Sequence, residues 1–73
     1  MATKKRKIEP VYVEFGQWFR RKRERLGLTQ TEVAKQARLS RGSICNIEGG
    51  KERVALHNIV CLCELVGARW RLP

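Results

Sequence analysis

The chain has 73 residues, 42% of them hydrophobic, and 16 Lys and Arg against 7 acidic residues give it a formal net charge of +9. That length makes one domain with a small helical core and excludes an enclosed substrate cavity. The positive excess points to a polyanion partner, because phosphates neutralised by Lys and Arg release their counterions on binding.

Residues 1–11 are polar and charged through Pro10 and read as a flexible basic arm. Lys4, Lys5, Arg6 and Lys7 either wrap DNA from this arm or belong to a tail with no role. The first helix is predicted from about Tyr12 to Leu26, where Phe15, Trp18, Phe19 and Leu26 recur at helical spacing. It carries the second basic block, Arg20–Arg25, and Gly27 is its natural stop. Thr29 caps the second helix, and Glu32 three residues later completes a capping box. Val33, Ala34 and Ala37 form the inner face of that helix.

Ser40 caps the third helix, which turns Ile44 and Ile47 inward and ends at Gly49-Gly50. A polar loop follows through Arg53. The fourth helix begins near Leu56, holds Ile59, Leu62, Leu65 and Val66, and ends at Gly67. Residues 68–72 alternate apolar and basic, which is the period of a strand. The expected organisation is an arm at 1–11, a folded unit at 12–67 and a tail at 68–73. The fold class is all-α with four to five helices, with a short C-terminal β-strand as an option.

The turn between the second and third helices must join them steeply. Ala34 is small enough for the contact, Leu39 plugs the turn, and Ile44 and Ile47 anchor one face of the third helix. Arg41, Gly42, Cys45 and Asn46 then share the opposite face, from which side chains reach base edges in a DNA major groove. Arg41 is the best candidate reader, since guanidinium pairs bidentately with guanine, although a phosphate contact is its alternative. Asn46 either pairs with adenine or bonds to a neighbour. Gly42 reads no base, and close approach of its backbone to DNA would explain a glycine within a helix. Ser40 and Ser43 are phosphate candidates, and Ser40 is equally explained as a cap.

The segment from Gly27 to Lys51 resembles the helix-turn-helix of the XRE family, the Cro-like and lambdoid phage repressors. The matching stretches are Gly27-Leu-Thr-Gln-Thr-Glu-Val-Ala34 and Ser43-Ile-Cys-Asn-Ile-Glu-Gly-Gly-Lys51. The resemblance spans about residues 15–67 and implies a lambda-repressor-like domain. It implies that Thr29 and Gln30 contact phosphate, as suits a helix N-terminus with free N–H groups; a solvated Gln30 is the alternative. Lys51 and Arg53 match positions that touch the DNA backbone. Arg23 and Glu48 match a buried salt bridge between the first and third helices. Arg38 departs from the pattern, which has glycine there in a left-handed conformation. Cys45 stands where longer polar residues are common; a thymine-methyl contact, a redox role and an inert thiol are its readings, the last favoured.

The segment Leu56–Leu72 resembles small antitoxin-like regulators of the HipB type. That likeness implies a C-terminal strand paired with its twofold mate, with Trp70 and Leu72 in the dimer interface. Trp70 folded onto its own core is the alternative. The function expected is a sequence-specific, DNA-binding transcriptional repressor acting as a homodimer on a palindromic operator. The alternative is an antitoxin that also binds a toxin protein.

Other classes fit poorly. One histidine, no paired carboxylates and no Gly-rich phosphate loop argue against an enzyme, and no cofactor is expected. An RNA binder would need an aromatic stacking platform, whereas Trp18 and Phe19 fall on the core side. Cys45, Cys61 and Cys63 lack CxxC spacing, so neither a disulfide framework nor a metal site is expected, and a reducing cytoplasm fits best. No apolar run reaches the ~20 residues of a membrane span, and no apolar core follows the N-terminal lysines as in a signal peptide.

Overall fold

A computed structural model of the protein describes residues 10–70. It contains four helices: α1 (Pro10–Arg25), α2 (Gln30–Ala37), α3 (Arg41–Glu48) and α4 (Leu56–Val66). There is no strand among the described residues, and 68–70 follow α4 as irregular chain. α1 packs on α3 and α4, and α2 packs on the same two, while α1 and α2 do not pack on each other, nor do α3 and α4.

α1 starts two residues earlier than its apolar period suggests. Pro10 stands at the first helical position, where a missing N–H costs nothing and a fixed φ suits the helix. Phe15 and Phe19 are fully buried, with Ile44, Ile47, Leu62 and Val33 around them. Leu26 does not join this core; it is 54% exposed. Gly27 is left-handed, and the Leu28 N–H turns back to the Arg23 carbonyl at 3.1 Å, so Leu28 packs against the core instead. Val54, in the loop before α4, is buried as well.

The capping box at α2 forms as the sequence implies. The Glu32 N–H donates to Thr29 Oγ1 at 3.0 Å, and the Thr29 N–H donates to Glu32 Oε1 at 2.7 Å. Its other end carries the departure from the glycine pattern. Arg38 adopts φ 60° and ψ 40°, and it is the only non-glycine residue with positive φ among the described residues. The Arg38 N–H reaches the Lys35 carbonyl at 3.3 Å, and the Leu39 N–H reaches that of Ala34 at 2.9 Å. This is a Schellman ending, and α1, α3 and α4 close in the same way on Gly27, Gly50 and Gly67. Arg38 therefore accepts the left-handed strain and leaves the turn geometry intact.

A left-handed non-glycine residue costs about 1–2 kcal/mol, partly offset by the extra unfolded-state freedom of glycine, about 0.5–1 kcal/mol. Arg38→Gly is expected to stabilise the domain by about 0.5–1 kcal/mol. Urea unfolding checks this: the midpoint rises, and a midpoint that falls would place the strain elsewhere.

Candidate nucleic-acid interface

α3 presents two faces of different chemistry. Ile44, Ile47 and Glu48 point into the fold, while Arg41, Gly42, Cys45 and Asn46 are all exposed. Ser40 caps the helix: its Oγ accepts the Ser43 N–H at 2.9 Å and lies 3.2 Å from Ser43 Oγ. A β-carbon added at Gly42 would meet only Ser40 Oγ, at 3.7 Å, which is ordinary contact. Nothing within the fold thus requires glycine at this exposed position.

Asn46 Nδ2 lies 3.5 Å from Glu52 Oε1, a long contact. The amide is thus tethered at one end and the residue is exposed.

Beneath this face sits the paired Arg23 and Glu48. Arg23 Nε donates to Glu48 Oε2 at 2.6 Å and Nη2 to Oε1 at 3.0 Å, with both residues buried. Arg23 Nη1 also donates to the Leu28 carbonyl at 2.8 Å, and Gln30 Nε2 donates to Glu48 Oε1 at 3.1 Å. One ion pair thus ties α1, the loop before α2, the first turn of α2 and the last turn of α3. The hydrogen bond to Glu48 holds the Arg23 guanidinium above its ordinary pKa; burial opposes this, and the charges of Glu48 and Glu24 add to it.

An open groove runs over this pair. Arg20, Thr29, Gln30, Thr31, Arg41 and Lys51 line its rim, with Arg23 and Glu48 at its floor. Because the floor pair is mutually neutralised, the rim sets the field, and Arg41 and Lys51 make it positive. The N-terminus of α2 opens into the same groove and adds its free N–H groups. Thr29 Oγ1 accepts the Glu32 N–H, which leaves its hydroxyl proton to donate.

Thr29, Gln30, Arg41 and Lys51 are therefore brought together. Ser40 and Ser43 flank them at the start of α3, and Arg53 is exposed in the following loop. Arg20 was not a sequence candidate; it lies on the rim, with its Nε 3.0 Å from Glu24 Oε2. Its sequence signal is its place in the basic block Arg20–Arg25. Lys4, Lys5, Arg6, Lys7 and Leu72 lie outside the described residues. Trp70 is half-buried and meets the Phe15 ring edge-on, with centroids 5.1 Å apart.

Among the described residues, no group of three His, Cys, Asp or Glu is placed to hold a metal, and no helix is long and apolar enough to cross a membrane.

A helix-turn-helix domain model matches residues 14–69. Among solved structures, the restriction-modification controller protein C.AhdI from Aeromonas hydrophila is 33% identical, with TM-score 0.74 over 80% of this chain and 88% of that one. The clp gene regulator ClgR from Corynebacterium glutamicum is 26% identical, with TM-score 0.80 over 85% of this chain and 66% of that one. A second controller protein, C.Esp1396I, is 17% identical and shares the fold, with TM-score 0.75 over 82% of this chain and 78% of that one. A search of curated proteins gives no significant match.

Proposed function

The chain belongs to the XRE-like helix-turn-helix family of DNA-binding transcription regulators, and we propose that it is a sequence-specific repressor binding a partly palindromic operator as a homodimer. One observation carries this reading. Arg41, Gly42, Cys45 and Asn46 are exposed on one face of α3, while the opposite face is fixed by the buried Arg23–Glu48 pair. A reading helix must be both free at its outer face and rigid at its inner one.

In this arrangement α3 enters the major groove. Arg41 pairs with guanine, and Gly42 lets the helix backbone approach closely. The α2 N-terminus, Thr29, Gln30, Ser40, Ser43, Lys51 and Arg53 hold the flanking phosphates. Two copies set their α3 helices about 34 Å apart, one turn of DNA. Base contacts choose the sequence, and the basic rim supplies salt-sensitive grip.

The controller and gene-regulator roles named for its structural neighbours favour a regulator over an antitoxin. The antitoxin reading rests on the tail, where Trp70 turns back onto Phe15 of its own chain, and it gains no support there.

Arg41→Ala tests the assignment. It is expected to lose about 1–3 kcal/mol of discrimination between the operator and a singly mismatched site, with helix content unchanged. Lys51→Ala should instead weaken both sites alike and flatten the salt dependence. Competition binding with matched and mismatched duplexes separates the two, and unchanged selectivity in Arg41→Ala would remove it as the reading residue.

A further inference from the structure

We propose that Arg38 is a DNA-backbone contact: its guanidinium grips a phosphate beside the N-terminus of α3, which is why an arginine stands where the turn asks for glycine. The inference rests on the DNA-binding reading above and adds to it a contact outside both helices of the motif.

The four helices of this chain each close on a left-handed residue. Three of those residues are glycines, at 27, 50 and 67, and the fourth is Arg38, with φ 60°. Glycine takes that conformation freely, whereas a β-carbon there crowds the following carbonyl oxygen. The exception falls at the one helix end that leads into α3, which Arg41 opens three residues later. Strain kept at one position, while its equivalents avoid it, points to something the side chain does.

Nothing within the fold answers for it. Arg38 is exposed, and among the described residues its side chain has no hydrogen bond, ion pair or ring contact. A cation at the end of α2 suits the helix dipole, but Lys35 already stands in that last turn. At an exposed site the dipole attraction is also smaller than the cost of a left-handed arginine. The free protein gains a repulsion instead. Lys35, Arg38 and Arg41 follow one another at intervals of three, on a chain of net charge +9. That repulsion becomes attraction only when an anion lies against the turn.

Phosphate is the anion that fits. Arg38 precedes Ser40 by two residues, at most about 7 Å of chain. Ser40 caps α3, the helix whose N-terminal residues face base edges while the segments around it meet the DNA backbone. A guanidinium fork matches two phosphate oxygens at once and reads no base in doing so. An acidic protein would instead be drawn to the denser charge of α1, which carries five Lys and Arg.

The test compares Arg38→Gly with Arg38→Lys, titrating operator and mismatched duplexes over a range of salt. The glycine variant relaxes the turn, so its urea midpoint does not fall and weaker binding is not a result of unfolding. Its affinity for both duplexes should drop roughly tenfold, the scale of one charge-assisted contact. The slope of log affinity against log salt should shrink by about 0.9, the share of one phosphate. Arg38→Lys keeps the charge on the same strained backbone and should retain the slope. A role in turn geometry alone would leave the slope of the glycine variant where it was. A glycine variant that binds as the wild type does, with its slope unchanged, overturns the proposal; so does a loss confined to the matched duplex, which would make Arg38 a base reader. The two readings fail separately. A wild-type chain that binds duplexes without sequence preference sinks the reading function, and the salt slope on that same DNA still decides Arg38. A wild-type chain that binds no duplex sinks both.

Discussion

Arg23→Ala is expected to destabilise the domain by about 3–5 kcal/mol. The substitution strands the Glu48 carboxylate, whose side chain is 3% exposed, with only the Gln30 amide for company. It also removes the donor to the Leu28 carbonyl. Breaking one member of a buried pair typically costs about 3–5 kcal/mol. A domain of this size has only about 4–11 kcal/mol in all, at 0.05–0.15 kcal/mol per residue. The loss would therefore consume a large part of the stability.

The effect does not depend on working pH through Arg23. Its folded pKa is raised, so its contribution is complete below the ordinary guanidinium range and is lost only as pH climbs through the still higher folded value. Urea unfolding gives the number. A loss under about 1 kcal/mol would mean that the pair acts as an exposed surface bridge does. Replacing both residues together by Met and Leu should be much milder, since neither charge is then stranded.

Gly16→Ala is the second large effect. Gly16 is buried within α1, and a β-carbon there would overlap the Ile47 carbonyl oxygen and lie 2.9 Å from that of Glu48. The obstruction is α3 backbone, which cannot rotate away as a side chain can. Overpacking costs about 1–3 kcal/mol, and the better helix propensity of alanine returns about 1 kcal/mol. Because backbone must move, the net loss is expected at about 2 kcal/mol. The displaced element is the reading helix, so operator affinity should fall beyond what unfolding explains.

Gly42→Ala serves as the contrast. With only an ordinary contact to Ser40 Oγ around it, alanine should add about 0.5–1 kcal/mol of stability. It should nevertheless weaken operator binding if the backbone approaches DNA there. Thermal unfolding of the two variants should give shifts of opposite sign; equal signs would refute the packing argument at Gly16.

What could be read from the sequence was what is decided locally. Thr29 with Glu32, and the glycines at 27, 49–50 and 67, mark helix ends through nearest-neighbour chemistry, and they stand where the chain implied. Leu26 was misread because helical period was carried past the end of its helix, where Gly27 reverses the chain and Leu28 takes the inward place. Gly16 gave no signal: its reason is a close crossing with residues more than thirty positions away. The Gln30–Glu48 bond and the place of Arg20 on the groove rim are hidden for the same reason. Arg38 showed its conflict openly, since its neighbours spelled a Schellman turn and its side chain did not suit one. The alternating tail suggested a strand, yet an aromatic contact with Phe15 holds Trp70 on its own core.

The central claim is that the exposed face of α3 reads DNA sequence, and selection of bound duplexes from a random pool tests it most directly. The wild-type chain should enrich two symmetric half-sites with centres about 34 Å apart, and Arg41→Ala should lose definition at one base pair in each half-site. A pool that shows no enrichment over many rounds, while the protein remains folded, would contradict the claim.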